Sequence, residues 1–164
     1  MNKIDIDYWM KGVKFGQMRG CLILYLLDLM DAAYQEREWV KEGANDFFAA
    51  NIEFPFDMFF NELDLQDYFD NKEFLYNWIG EIFKRKEEVD ALHEASCMLY
   101  KLCKSCYYDT EFLTSPYLTP LREASAKAFA VFMENEKDNK EFCEFIAELQ
   151  AKRKAEEAAC GSKD

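Results

Sequence analysis

One histidine and three cysteines lie close together in the chain and have the side chains that a zinc site would need. They are His93, Cys97, Cys103 and Cys106. One imidazole and three thiolates form a chemically adequate ligand set for tetrahedral zinc. On a continuous helix, however, Cys103 and Cys106 point away from the side shared by His93 and Cys97, and the residues between them predict no break. The spacing therefore disfavours a zinc site, and we expect no metal.

Cys103 and Cys106 also have the two-residue spacing of a thiol redox pair. Such pairs work at a helix N-terminus, where the helix dipole lowers the thiol pKa. The apolar pattern that begins at Val89 places this pair near a helix C-terminus instead, with no strand before it. The first seven residues lack the apolar run of a secretory signal, so we expect a cytoplasmic protein with reduced cysteines and no disulfide.

Catalytic motifs are otherwise missing from the sequence. His93 is the only histidine, which excludes mechanisms that need two, such as the paired sites of di-iron bundles. No nucleophile elbow, zinc-protease, phosphate-loop or calcium-loop pattern occurs. We assign no catalytic residue, expect no cofactor and predict that the protein is not an enzyme. A small metal- or thiol-dependent enzyme or sensor built on His93, Cys97, Cys103 and Cys106 is the alternative.

A second group of residues is acidic and aromatic. Between Gly43 and Ile82, nine carboxylates accompany one base, Lys72, so this quarter of the chain carries −8 of the formal net charge of −12. Eleven of the 27 aromatic residues lie there as well. Carboxylates along a ridge imitate phosphates and engage a groove of Lys and Arg, while exposed aromatics supply anchoring contacts. The predicted partner-binding residues are six acids and three aromatics: Glu53, Asp57, Glu62, Asp64, Asp67, Asp70, Phe56, Phe60 and Tyr68.

The same stretch has a simpler interpretation, in which carboxylates face water and phenylalanines face the core. In composition, the chain resembles the small acidic inhibitors that phages and plasmids encode against restriction and CRISPR nucleases, although no motif identifies a family. That resemblance implies a non-enzymatic module that docks on a nucleic-acid-handling protein and blocks its basic groove. The expected partner is a protein with a basic surface, because the charge opposes direct nucleic-acid binding. A self-associating structural subunit is a further alternative, and the oligomeric state stays open.

Helices are the elements predicted to position these residues. The stretch from Cys21 to Tyr34 holds only two charges and predicts a buried central helix that is too short and too interrupted to span a membrane. We expect an all-α, single-domain bundle of about six or seven helices over residues 1–150, followed by a frayed charged tail over residues 151–164. The alternating pattern from Ile52 to Met58 is the one candidate for an extended segment, and Pro55 restricts it to an edge.

The first helical segment leaves a question open, namely whether residues 8–42 form one helix or two. Glycines at positions 12, 16 and 20 would line one side of a continuous helix, as a close helix crossing requires, or would mark a break near Gly20. Later helices are predicted from capping signals at Asp70, Thr119 and Asp138. The charged residues 84–90 either continue the helix that begins at Asp70 or bend it.

Overall fold

A computed structural model describes residues 10–39, 55–62, 71–106 and 109–161, without the side chains at positions 57, 62, 109 and 110. Within these ranges the chain forms five α-helices: α1 (Gly16–Met30), α2 (Ala32–Glu38), α3 (Lys86–Ser105), α4 (Leu118–Asn135) and α5 (Lys140–Gly161). A π-helical turn (Asp57–Glu62) and two 3-10 helices (Lys72–Trp78 and Asp109–Thr114) accompany them. No strand occurs in the described ranges, where one isolated bridge joins Ile79 and Phe83. The all-α, single-domain bundle is confirmed.

The core forms mainly where α4 packs against both α1 and α3. The buried face of α4 bears Leu121, Ala124, Ala128 and Phe132, a spacing that keeps them on one side of a helix. Among the described elements, α4 therefore has the most extensive contacts, whereas the sequence analysis assigned the central position to the helix from Cys21 to Tyr34. None of the helices in the described ranges combines the length and the apolar character that crossing a bilayer requires.

The predicted helix from Cys21 to Tyr34 is interrupted at Asp31. This residue adopts an extended conformation, and its carboxylate accepts a hydrogen bond from the Tyr34 amide at 3.0 Å, which caps α2. The Gln35 side chain donates to the carbonyls of Asp28 and Leu29 and so satisfies groups that the end of α1 leaves open. Residues 16–38 thus form two helices.

The glycines every fourth residue do not share one helix face, because the chain is not helical at Gly12. Its φ of 87° lies in the left-handed region, and helix α1 begins only at Gly16. Gly16 and Gly20 are buried on α1. The predicted break near Gly20 is therefore wrong, and the break at Asp31 replaces it.

The extended segment predicted from Ile52 to Met58 is wrong for the part that is described. Pro55 and Phe56 are α-helical and continue into the π-helical turn, while residues 52–54 lie outside the described ranges. A helical turn satisfies its own backbone groups, whereas an edge strand without a sheet would leave them unpaired. The turn also buries Phe59 and Phe60 together. Helical packing thus overrides the alternating sequence pattern.

Residues 151–161 of the predicted tail are helical rather than frayed, because α5 continues to Gly161, and residues 162–164 lie outside the described ranges. Arg153 forms ion pairs with Asp28 and Asp31, and its guanidinium lies 4.0 Å from the centre of the Tyr34 ring. Burial raises the pKa of Asp28, and the Arg153 guanidinium offsets that effect only in part. These contacts hold the second half of α5 against α1 and α2. The sequence analysis treated Arg153 as a solvated charge of the tail.

Candidate protein-docking surface

The nine predicted partner-binding residues fall into three groups. Five lie outside the described residues, and two have only their backbone described: Glu53, Asp64, Asp67, Tyr68 and Asp70 in the first group, Asp57 and Glu62 in the second. Phe56 is half-buried, with its ring 4.6 Å from that of Phe60. Phe60 is only 5% exposed and lies 5.7 Å from the Tyr100 ring of α3. Phe60 is therefore a core residue, and the prediction that it anchors a partner is wrong.

Phe74 is an exposed aromatic side chain of the acidic stretch that was not among the predicted anchors, with 44% of its surface accessible. An α-helix from Asp70, as the capping signal predicts, would have 3.6 residues per turn and would place Phe74 on one apolar face with Trp78 and Ile82. The segment is a 3-10 helix, in which residues three apart share a face. Leu75 and Trp78 accordingly face the core, and Phe74 shares the outer face with Asn77. The polar Asn77 was the signal that could have identified this face.

Lys72, the one base of the acidic stretch, is directed at a carboxylate outside that stretch. Its ammonium lies 3.0 Å from Asp90 of α3, and the Tyr76 hydroxyl donates to the same carboxylate at 2.6 Å. Burial by itself would raise the pKa of Asp90, but the hydrogen bonds from Tyr76 and Lys72 hold that pKa below its ordinary value. The hydrogen bond to Asp90 in turn raises the pKa of Tyr76 to about 12. These contacts attach the 3-10 helix to α3.

A fully buried arginine positions the segment that follows this 3-10 helix. The guanidinium of Arg19 donates two hydrogen bonds to the Glu88 carboxylate at 2.8 and 2.7 Å and one to Glu136 at 2.6 Å. It also donates to the carbonyl of Ile82 at 3.0 Å and lies 5.0 Å from the centre of the Phe132 ring. One side chain of α1 thus binds α3, the end of α4 and the backbone at Ile82.

Neighbouring groups complete the hydrogen bonding of the two buried carboxylates. Glu88 accepts from the Asn135 amide at 2.8 Å and from the backbone amide of Lys84 at 2.7 Å, while the Lys84 ammonium lies 2.8 Å from Glu136. Burial alone would lower the pKa of Arg19, but the hydrogen bonds and charges of Glu88 and Glu136 hold it above its ordinary value. Arg19 therefore remains a cation in the core.

The four residues of the metal hypothesis do not converge. A metal site would need a helix break that brings Cys103 and Cys106 to the side of His93 and Cys97. Helix α3 has no such break, because it is continuous from Lys86 to Ser105. The Cys97 sulfur lies 3.9 and 4.0 Å from the ring nitrogens of His93, and both side chains line an open groove. In the described part of the chain, no three His, Cys, Asp or Glu side chains form a group that could hold a metal ion.

Two of the cysteines, Cys103 and Cys143, lie in environments that disfavour the thiolate, because burial raises the pKa of each. All six are in the described ranges, and each is a free thiol. Burial, with a smaller effect from Cys106, raises the pKa of Cys103 to about 12. A thiol with so high a pKa is almost entirely protonated at neutral pH and is a poor nucleophile. The geometry thus gives no support to a redox role for the Cys103 and Cys106 pair.

No protein-family model, curated protein or solved structure matches this chain. The resemblance to small acidic inhibitors therefore rests on composition alone. Two features remain to indicate a function, namely the acidic stretch in the sequence and the exposed outer face of the 3-10 helix near its end.

Proposed function

We propose that this protein is a non-enzymatic binding module that docks on a basic surface of another protein, in the manner of a small acidic inhibitor. The partner is a nucleic-acid-handling protein whose Lys- and Arg-lined groove accepts carboxylates in place of phosphates. The docking surface consists of the acids of the stretch between Gly43 and Ile82, with Phe74 as its aromatic anchor. Phe74 replaces Phe60 in that role.

The observation that carries this proposal is the pairing of Lys72 with Asp90. Nine carboxylates and one base occupy residues 43–82, and that base is held by a carboxylate of α3, outside the stretch. Lys72 therefore compensates a charge outside its own stretch, and Glu81, at the end of the stretch, pairs with Lys14. Clustered negative charge of this kind raises the association rate with a positive partner and suppresses binding to other acidic surfaces.

Exposure of the 3-10 helix supports the choice of anchor. Glu73 and Asn77 are exposed beside Phe74, so the aromatic ring has a polar rim. Interfaces combine an aromatic centre with a polar, solvent-accessible rim, and aromatic residues are frequent among their energetic hot spots. The acids Asp64, Asp67 and Asp70 immediately precede this helix in the chain. Charge and anchor are therefore adjacent in sequence.

A pull-down with a polyanion competitor tests the proposal. The immobilised protein is incubated with a nuclease-treated lysate, captured proteins are identified by mass spectrometry, and elution is attempted with salt and with heparin. We expect capture of a nucleic-acid-binding protein that does not depend on nucleic acid. Heparin should displace it, because heparin and the immobilised protein compete for the same basic groove. Captured proteins that salt and heparin both fail to release would contradict the proposal, since exposed charge is screened by salt.

Two charge-reversal variants locate the surface. The test variant carries Asp64→Lys, Asp67→Lys and Asp70→Lys, and we expect it to lose capture of the partner while remaining folded. The control carries Glu141→Lys, Glu144→Lys and Glu148→Lys on the exposed side of α5, which changes the net charge by the same amount. Equal loss in both variants would indicate that net charge alone drives capture. Full capture by the test variant would show that this acidic stretch only faces solvent.

A further inference from the structure

A second surface lies where two chain segments meet beside the N-terminus of α1. The backbone amides of Lys14 and Phe15 donate to the carbonyls of Gly80 and Glu81 at 3.0 and 2.7 Å. The Gly80 amide donates to the carbonyl of Phe83 at 2.7 Å, and its φ of 90° closes the turn. Arg19 holds the same turn through the carbonyl of Ile82. The two segments therefore form one well-braced structure, which we call the paired-loop surface.

Two large apolar side chains are exposed on the paired-loop surface. Phe15 has 44% of its surface accessible and Ile79 has 39%. They are two of the four large hydrophobic residues that are exposed in the described part of the chain, the others being Phe74 and Tyr117. Exposed apolar side chains grouped within a polar surround are typical of protein interaction sites. Because the backbone is already fixed by hydrogen bonds, binding here would cost little ordering entropy.

The charge of this surface is opposite to that of the chain. Apart from Lys84, which pairs with the buried Glu136, residues 10–16 and 79–87 contain four Lys or Arg and two Glu, within a protein of net charge −12. Glu81 is already paired with Lys14 at 3.1 Å. Arg85 and Lys86 are exposed at the beginning of α3, next to the turn. The two segments that carry Phe15 and Ile79 therefore have a net positive charge, whereas the chain as a whole is acidic.

We propose that the paired-loop surface binds an acidic protein segment in which a large apolar side chain is flanked by carboxylates. The apolar side chain would pack against Phe15 and Ile79, and the carboxylates would meet Arg85 and Lys86. A nucleic acid fits less well, because Ile79 has no ring on which a base can stack and a long polyanion would extend over the acidic remainder of the protein. This inference does not rest on the proposed function, because the paired-loop surface shares only residues 79–82 with the acidic stretch and uses none of its carboxylates.

Selection from a displayed random-peptide library tests the inference with the intact protein. We expect enriched peptides that contain Asp or Glu next to Phe, Trp, Leu or Met. Synthetic copies of these peptides should bind the variant Phe15→Ser, Ile79→Ser at least about tenfold more weakly, as expected when two anchors are lost. Tyr117→Ser, at an exposed aromatic in another part of the fold, is the matched control and should leave binding unchanged.

A second variant separates recognition from folding. Arg85→Glu with Lys86→Glu changes only exposed charges, and acidic residues are tolerated in the first turn of α3. This variant should no longer bind the acidic peptides, while its Tm should equal that of the parent. No enrichment, enrichment of peptides without carboxylates, or binding to either variant as tight as to the parent would overturn the inference. So would a single-stranded oligonucleotide that binds this surface more tightly than the peptides, or self-association that disappears with Phe15→Ser, Ile79→Ser.

Discussion

Replacing Arg19 by methionine tests the energetic role of the buried ion network. Methionine has an apolar side chain about as long as the stem of arginine, but it makes none of the four hydrogen bonds of the guanidinium. Glu88 and Glu136 then remain buried as carboxylates, and Lys84 is the one cation whose ammonium still contacts either of them in the described structure. Removing one partner from a buried ion pair costs about 3–5 kcal/mol, because the remaining charge loses its compensation. We expect a loss of that size in the free energy of unfolding.

Urea and thermal denaturation followed by circular dichroism measure this loss. For a chain of this size, about 3–5 kcal/mol corresponds to a decrease in Tm of about 6–20 °C. The matched control is Lys127→Met, which breaks an exposed 2.7 Å pair with Glu94 and should cost less than about 1 kcal/mol. Neutralising the carboxylates as well, in Arg19→Met with Glu88→Gln and Glu136→Gln, should restore part of the stability. If Arg19→Met is no more destabilising than Lys127→Met, the network does not hold the fold together.

Three further predictions concern the turn at Gly80, the reactivity of the thiols and the hydrogen bond between Tyr76 and Asp90. Gly80→Ala should cost about 1–2 kcal/mol in unfolding experiments, because φ is 90° there and no atom crowds the added methyl group. Alkylation followed by mass spectrometry at mildly alkaline pH should label the exposed Cys160 long before Cys103, whose pKa is about 12. Because the folded pKa of Asp90 is depressed, Asp90→Asn should lower stability above the unfolded pKa of about 4, and this difference should shrink as the pH falls through the folded pKa. The same substitution should move the pKa of Tyr76 from about 12 towards its ordinary value in an NMR titration, since Asp90 is the hydrogen-bond partner that raises it.

The fold class and three of the helices could be predicted because their sequence patterns are local. Periodic apolar residues indicated α3, and the capping signals at Thr119 and Asp138 placed the beginnings of α4 and α5 within two residues. The structure adjusts the caps, since α4 starts at Leu118 and the Asn139 side chain accepts from the Phe142 amide at 3.4 Å. Such signals act over one or two turns, which is why the helices marked by Thr119 and Asp138 were correct. Asp70 lies outside the described residues, and the segment that follows it is the 3-10 helix Lys72–Trp78.

Elements that depend on distant residues could not be predicted in the same way. The choice between an edge strand and a helical turn at Pro55 is decided by the burial of Phe59 and Phe60. The persistence of α5 beyond Gln150 depends on Arg153 meeting Asp28 and Asp31, more than 100 positions earlier in the chain. The local sequence pattern does not reveal contacts between residues that are distant in the chain. The tail therefore looked unstructured for lack of an apolar face.

The ion network was detectable in part. Arg19 lies three, four and seven residues before Leu22, Ile23 and Leu26, all of which are buried on α1. An arginine in line with an apolar stripe predicts either a tilted surface helix or a buried charge with partners. In the sequence, Arg19 lies two positions before the apolar stretch from Cys21 to Tyr34, which by itself assigns it no role. Identifying Glu88 and Glu136 as its partners requires the helices to be packed first.

The charges of this protein form two populations with different physical roles. Arg19 and Lys84 compensate Glu88 and Glu136, so these four charges sum to zero and contribute little to the field around the molecule. The net charge of −12 therefore resides in the remaining side chains, where salt screens it. Stability that depends on the buried network should be insensitive to salt, whereas docking through the acidic stretch should weaken with it. The two roles can thus be separated in one protein without any substitution.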